Sequence, residues 1–507
     1  MEARGGDDRA DRAPESAAPR GSALTYALVP CAVIVGIVFR AWMLSSPIGQ
    51  LDSDEAVVGL MARHMLDGDF PIFFWGQSYG GPHEAALAAA VFSVAGSSVL
   101  ALKLVPAALA GAAAVLTWRV GRRTVGEPAA AIGAALTWVW PMAFVWWSIK
   151  AVGFYQAGLV AALGVVLCVL RLRECDSWTD AAVLGLLAGT AWWATAQSVY
   201  LIAPALVWLV ASRPRVLTVA PAAIAGALLT AGPWLVHNLQ NDWVGLHAPD
   251  TGGPGNTYVE HLRLFFTEAL PRALGLRLPD GWLPPGGAQV AYAILLALFV
   301  YAAVRLRGNA RLLVVVGCAY PFLFALSPFS WYVEHPRYLY FLVPVPALLI
   351  ARGLTKVPVA AAVAAFATML VLTAIALASV NRDARMIPPA PEIRSPLPVT
   401  PVVEYMEEQD VEAAWATYWL AYRLTFESGE DVIVTPYSGV MRNAEYADYV
   451  RNHPSAAFVF LDESTMDDHF GSALESMGIG FDRTPVEGFV VYRPHADVDP
   501  EAVPGLL

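Results

Sequence analysis

Apolar residues in this chain fall into long blocks separated by short polar breaks, a pattern that neither amphipathic helices nor alternating strands produce. The blocks occupy 23–44, 99–118, 128–147, 156–170, 180–196, 199–212, 216–236, 288–304, 311–328, 338–351 and 357–379. A helix needs about 20 such residues to cross a bilayer. The pattern therefore predicts a polytopic α-helical membrane protein of about eleven spans over residues 23–380. The two runs between Arg173 and Arg213 are short for a full crossing. No small-residue cleavage site follows the first run, which reads as a retained anchor. The polar, mixed-charge residues 1–22 read as a disordered cytoplasmic tail.

Three stretches outside the blocks are long: 45–98, 237–287 and the region from 381 to the last residue. The last opens on a Pro-rich linker at 381–400 and then changes period. Short apolar segments at 411–417, 432–436, 456–461 and 488–494 read as strands, and they alternate with helical stretches at 418–428, 444–453 and 467–478. That alternation predicts a small α/β domain over 401–507. It holds no Gly-rich phosphate loop.

Basic residues fix an expected orientation. Arg119, Arg122 and Arg123 form one cluster, Arg171 and Arg173 a second, and Arg213 and Arg215 a third. Arg305, Arg307 and Arg311 form a fourth, and Arg352 with Lys356 a fifth. The short loops between them carry chiefly Arg63, Lys150 and Arg337. Cytoplasmic loops hold the Lys/Arg excess, so the five clusters and the N-terminus are expected inside. The C-terminal domain and loops 45–98 and 237–287 are then extracytoplasmic, on a multi-pass protein of the cell membrane.

Composition agrees with this class. Apolar residues make up 57% of the chain and charged residues 15%, with a mean hydropathy of +0.51. A soluble chain carries about a quarter charged residues, so too little polar surface remains here to coat a globule. The net charge of −11 argues against a nucleic-acid partner. Cys31, Cys168, Cys175 and Cys318 form no C-x-x-C pair or disulfide pattern and read as small buried apolar residues.

The candidate chemistry lies in 51–84. Ala56, Val57, Leu60, Met61, His64 and Met65 share one helical stripe, which predicts a helix lying on the membrane surface and stopping at Asp67-Gly68. Asp52 followed by Glu55 is a capping-box pattern. Asp54 sits one residue too late to cap. Neighbours on a helix point about 100° apart, so Asp54 and Glu55 cannot serve the same point.

The acidic pair after the first run, the aromatic-Gly segment leading to Tyr79 and Glu84, and the run through Phe92, Gly96, Ser97, Ala101–Leu104 and Pro106 resemble a known family. So do Arg122-Arg123 and the segments 146–156, 232–238 and 335–354. The chain looks like the GT-C membrane glycosyltransferases, in the protein O-mannosyltransferase and aminoarabinose-transferase branch. The resemblance implies a GT-C fold and transfer of a sugar, with inversion, from a polyprenyl-phosphate donor on the outer leaflet. It also implies Asp54 as catalytic base. In one departure, relatives often carry a second acid in the next outer loop, where this chain has Lys150, Phe154, Tyr155 and Gln156.

The residues make a physical case of their own. A lipid phosphate is a good leaving group, so transfer needs a base for the acceptor hydroxyl and cations for the phosphate. Asp54 supplies the first. Lys150 and Arg337 are the outer cations, with snorkelling to headgroups as the alternative for each, and a salt bridge to Glu334 as a further alternative for Arg337. Pro336 opens the next helix and places Arg337 near its start. Glu55, His83, Glu84, Tyr155 and Tyr338 complete the expected substrate-binding set. Glu55 as a helix cap and His83 with Glu84 as a helix start are the plainer readings. The chain lacks H-E-x-x-H and comparable zinc spacings, so no metal ligand is expected and no cofactor is named; dependence on a divalent metal stays open. The tryptophan pairs 146–147 and 192–193 read as interfacial anchors, with sugar-stacking platforms as the alternative. Expected partners are the polyprenyl-phosphate-linked sugar, membrane lipids, and a glycan, lipid or protein acceptor. A lipid-linked sugar transporter or flippase is the rival reading. Transport leaves ionisable residues at the bilayer midplane, and these blocks are nearly uncharged in the middle.

The charge alternation yields a direct test. A reporter fused after Leu507 is expected to be active only outside the cytoplasm. Activity confined to the cytoplasm would overturn the span count and the outward placement of Asp54.

Overall fold

A computed structural model of the 507-residue chain describes residues 20–247, 255, 257–278, 281–283, 286–333, 336–385 and 397–506. The expected disordered tail (all but its last three residues), most of the Pro-rich linker, part of loop 237–287, and Glu334 lie outside the described residues.

Each apolar block becomes helix. The membrane part runs α1 (Arg20–Leu44), α2 (Ser53–Leu66), α3 (His83–Ala95), α4 (Val99–Thr124), α5 (Glu127–Val139), α6 (Met142–Trp147), α7 (Tyr155–Leu172) and α8 (Trp178–Ala194). It continues through α9 (Val199–Ser212), α10 (Ala220–Thr230), α11 (Gly232–Gln240), α12 (Tyr258–Leu264), α13 (Leu270–Ala273) and a two-residue hairpin, β1 (Arg277–Leu278) with β2 (Gly281–Trp282). Helices α14 (Gly287–Arg305), α15 (Arg311–Phe324), α16 (Pro344–Leu354) and α17 (Val359–Arg385) close it. Among the described residues five helices are long and apolar enough to cross a membrane, and α9 with the helical stretch after it forms a further pair bent by 115°. The remaining blocks are shorter, because prolines and polar residues break them: Trp140-Pro141 splits 128–147 into α5 and α6, and Arg213-Pro214 bends the chain after α9.

The five basic clusters meet at one end of the bundle. Arg123 pairs with Glu174 at 2.7 Å, Arg213 with Asp176 at 2.8 Å, Arg173 bonds Asn309, and Arg352 donates to the Val125 carbonyl. On α4, Lys103 and Arg123 lie about 30 Å apart at 1.5 Å per residue, and Lys103 reaches the first turn of α2. Asp54 is therefore at the opposite end from the clusters. Cysteine 168 is buried, whereas Cys31, Cys175 and Cys318 are exposed, and all four are free.

The region after 396 holds α18 (Thr400–Glu408), β3 (Ala413–Ala416), α19 (Tyr418–Glu427), β4 (Ile433–Pro436), α20 (Ala444–Arg451), β5 (Ala457–Leu461), α21 (Thr465–Ser476), β6 (Phe481–Val486) and β7 (Phe489–Pro494). The five strands form one sheet in the order β4-β3-β5-β7-β6. β3 runs parallel to β4 and β5, and β7 is antiparallel to β5 and β6. Alternate strand residues feed two cores. Ala414, Val434, Val459 and Val491 pack with α18 and α19, while Trp415, Phe458, Phe460 and Tyr492 pack with α20 and α21. The strand β6 was not expected from the sequence. It is an edge strand that carries Pro485 and leaves half of its residues exposed, so it has no buried apolar run to announce it.

This domain sits on α2. The expected surface helix is instead enclosed: residues 55 to 62 are all buried, because α19 covers the face that membrane or water would have covered. Gly59 permits the approach, since a Cβ there would lie 2.4 Å from the Phe426 ring. Beside it, Arg63 donates to the Phe426 carbonyl at 2.8 Å, and His64 reaches both Glu430 at 3.1 Å and the Tyr446 hydroxyl at 2.9 Å. Arg423 of α19 donates to the Gln50 side chain at 3.2 Å. A second glycine, Gly76 (φ +68°), lies where a Cβ would stand 2.5 Å from the Met441 carbonyl.

The Gly59 contact sets an expectation. The Phe426 side chain is almost wholly buried, so it has nowhere to swing, and Gly59→Ala should cost about 1–3 kcal/mol through overpacking. The melting temperature of detergent-purified protein measures this, and Phe426→Leu in the same chain should recover part of the loss.

Candidate functional site

The site begins with the cap of α2. Asp52 is the N-cap: its Oδ1 accepts from the Glu55 amide at 3.1 Å, and its own amide donates to Glu55 Oε2 at 3.4 Å. The capping box is thus present, but Glu55 does far more than cap. Its side chain is fully buried, with Lys103 Nζ at 2.7 Å from Oε1 and Lys150 Nζ at 2.7 Å from Oε2. The Ala151 amide donates to Oε1 at 3.0 Å. Lys150 also approaches Asp52 at 3.4 Å and the Gln50 carbonyl at 3.0 Å. Lys103 was not singled out in the sequence, because a single lysine in an apolar run gives no pattern.

Glu84 is the second fully enclosed carboxylate. Its Oε1 accepts from the amides of Gln156 at 2.9 Å and Ala157 at 3.2 Å, the first turn of α7. Burial raises its pKa to about 7, against the lowering effect of those amides. His83 packs edge-on to Trp193 with centroids 4.8 Å apart, and burial lowers its pKa to about 4. Glu55 and Glu84 are fully enclosed and Lys150 nearly so. In the structure these three residues of the expected substrate-binding set pin segment 148–157, since charges this deep must be paired or hydrogen-bonded. Of the two tryptophan pairs, Trp147 is buried, and Trp193 donates to the Ile72 carbonyl at 2.8 Å.

With Glu55 turned inward, Asp54 projects from the same helical turn toward the C-terminal domain. The Tyr418 hydroxyl donates to Asp54 Oδ1 at 2.5 Å, and Arg442 Nη2 lies 3.6 Å from the same oxygen. Arg442 Nε donates to the Tyr418 hydroxyl at 3.0 Å and Nη1 to Gln77 Oε1 at 2.9 Å. Its guanidinium lies over the Phe74 ring, 5.0 Å from the centroid. The Asp54 side chain keeps 18% of its surface exposed, so this carboxylate is held without being sealed. Burial first, and then the Asp54 charge, hold the Tyr418 phenol above its ordinary pKa, as a donor.

Arg337 forms the adjoining wall. It sits at the second position of a seven-residue 3-10 helix, Pro336–Leu342, rather than an α-helix. It donates to the Tyr338 hydroxyl at 3.3 Å and lies over the rings of Tyr338, Trp147 and Tyr155 at 5.2, 5.4 and 6.0 Å. Tyr338 stacks on Phe329, which meets Tyr79. Tyr155, Arg337 and Tyr338 are thus brought into one cluster that reaches Tyr79 through Phe329, while Tyr418 and Arg442 of the C-terminal domain gather on Asp54. Among the described residues no group of three or more His, Cys, Asp and Glu is placed to hold a metal ion.

Comparison with known proteins follows the same lines. A family model described as dolichyl-phosphate-mannose-protein mannosyltransferase matches residues 80–237. No curated protein matches the chain. Among solved structures, ArnT from Cupriavidus metallidurans bound to undecaprenyl phosphate aligns at 14% identity over 92% of this chain and 97% of its own, with a TM-score of 0.59. The Archaeoglobus fulgidus oligosaccharyltransferase complexed with Zn and sulfate aligns at 14% identity over 92% of this chain and 73% of its own, with a TM-score of 0.54. The chain has the fold of the GT-C membrane glycosyltransferases, as the motifs led us to expect. The matched family segment contains Lys103, Lys150 and Tyr155 but neither Asp54 nor any residue of the C-terminal domain.

The buried carboxylate yields the next expectation. Lys103→Met leaves Glu55 one cation short, and removing a partner from a buried pair costs about 3–5 kcal/mol. The double variant Lys103→Met/Glu55→Gln should lose less than the two single losses added together. Thermal or denaturant unfolding of purified protein reads the difference.

Proposed function

We propose that this chain is an integral-membrane glycosyltransferase. It moves a sugar from a polyprenyl-phosphate donor to an acceptor hydroxyl at the extracytoplasmic face, with inversion at the anomeric carbon. The observation that carries the reading is a partly exposed carboxylate, Asp54, held by the Tyr418 hydroxyl and the Arg442 guanidinium at one end of a bundle with the GT-C fold.

Asp54 is the base. As the acceptor oxygen attacks the anomeric carbon, its proton passes to the carboxylate and the carbon–oxygen bond to the phosphate breaks, leaving the electron pair on the phosphate. Arg337 is the group to receive that charge. A planar guanidinium can grip two phosphate oxygens, which an ammonium cannot copy. Lys150, the other cation expected for this role, is occupied by Glu55 and Asp52. A lipid-linked donor is in keeping with the undecaprenyl phosphate bound by the ArnT structure of the same fold.

Deletion of the gene tests the class. Loss of one sugar linkage from a surface glycan, glycolipid or glycoprotein is expected; accumulation of intact donor on the inner leaflet would instead identify a flippase. In the complemented strain, Asp54→Asn should lower product formation roughly 10²–10⁴-fold. Arg337→Ala should cost roughly 10²–10³-fold, with Arg337→Lys already impaired. Wild-type product from Asp54→Asn at equal protein level would remove it from the mechanism.

A further inference from the structure

We propose that the C-terminal domain is a working part of the catalytic centre, with Tyr418 and Arg442 as positioning residues that fix the Asp54 carboxylate for proton transfer. This rests on the reading of Asp54 as base.

Three observations carry it. First, the two side chains converge on one oxygen. The Tyr418 hydroxyl and Arg442 Nη2 both approach Asp54 Oδ1, and Arg442 Nε donates to the Tyr418 hydroxyl at 3.0 Å. Oδ1 is thereby engaged, and Oδ2 is the oxygen offered to the acceptor hydroxyl, whose proton it takes. Tyr418 keeps its own proton throughout and acts through Asp54.

Second, the arrangement is supported from behind. The Tyr422 hydroxyl accepts from the Arg442 amide at 2.6 Å and the Asn443 amide at 3.3 Å, which holds the backbone from which Arg442 reaches back. Docking of the domain does not need these groups. It is already provided by Phe426 against Gly59, by Arg63 on the Phe426 carbonyl, and by His64 with Glu430 and Tyr446.

Third, the two residues occupy a privileged place in the sheet. Tyr418 follows the carboxyl end of β3 and Arg442 lies on the connection leaving the carboxyl end of β4. The connection leaving β3 runs to parallel β4 on one side, and the connection leaving β4 crosses back to parallel β5 on the other side of β3, so the direction of winding reverses there. In open α/β sheets, ligands bind in the crevice outside the carboxyl ends of strands at such a point. Here that edge is turned onto Asp54.

The test uses the full chain in a strain lacking it, with Tyr418→Phe, Arg442→Met, Arg442→Lys and Asp54→Asn compared at equal protein level. Product formation is followed in cells, and binding of undecaprenyl phosphate and the melting temperature are followed on purified protein. We expect Tyr418→Phe and Arg442→Met to lower product formation roughly 10- to 100-fold. Arg442→Lys should recover part of the Arg442→Met loss, and neither undecaprenyl phosphate binding nor melting temperature should change. Wild-type rates for the Tyr418 and Arg442 variants beside an inactive Asp54→Asn would overturn this inference and leave the glycosyltransferase reading standing. A faster Tyr418→Phe would overturn it too, by making Tyr418 a cap on the base. Loss of activity together with loss of lipid binding or of melting temperature would reduce both residues to a structural role. An active Asp54→Asn would sink the underlying reading itself.

Discussion

A carboxylate without solvent must be neutralised where it lies, and Glu55 meets that requirement with two lysines from two different segments. Lys103 comes from α4 and Lys150 from the connection between α6 and α7, each 2.7 Å from the carboxylate. The three-way ion cluster fixes the rotation of α2 about its axis. Once that rotation is set, the preceding residue has only one direction to point, since neighbours on a helix differ by about 100°. Asp54 projects toward the C-terminal domain because Glu55 cannot. Glu84 extends the same logic to the far end of segment 148–157, where it receives the first amides of α7. Glu55 and Glu84 thus hold one wall of the site, and Asp54 is left facing the C-terminal domain.

The opposite wall is supplied by a soluble-type domain resting on the membrane part through close approaches that only glycine allows. Gly59 admits the Phe426 ring and Gly76 admits the Met441 carbonyl. These two contacts bracket the groups around Asp54: one lies on α2 itself, and the other lies in the aromatic loop that carries Gln77, a partner of Arg442. The aromatic loop meets segment 148–157 by the same device, because Gly80 stands against Phe154 and Gly153 against Phe74. Three aromatic rings and one carbonyl thus press directly on bare glycine backbone, which brings the walls close together.

Much of this was legible before any coordinates. Apolar blocks become helices because a bilayer-length run has few other solutions, and the Asp52-x-x-Glu55 spacing became a cap because the pattern is local. The apolar strands β3, β4, β5 and β7 announced themselves by buried apolar runs, whereas β6 did not. What stayed hidden is everything decided at long range. The stripe on α2 gave no hint that its other face would be covered too, since the cover lies more than 350 residues further along the chain. Tyr418 and Arg442 sit in unremarkable local contexts, and their significance depends on which element their domain is laid against. The same holds for Lys103, whose burial is intelligible only beside Glu55.

The 364 residues that separate Tyr418 from Asp54 also order events during biogenesis. At 5–20 residues per second, a ribosome needs roughly 20–70 s to proceed from one to the other. Throughout that interval α2 and its acidic turn can already be in place while the groups that bond Asp54 do not yet exist. The later-made domain must then reach the face of the bundle where Asp54 lies and settle on a helix made well before it. A nascent chain that has not yet passed residue 442 thus carries its carboxylate without those partners, and the site is assembled only after that residue has been made.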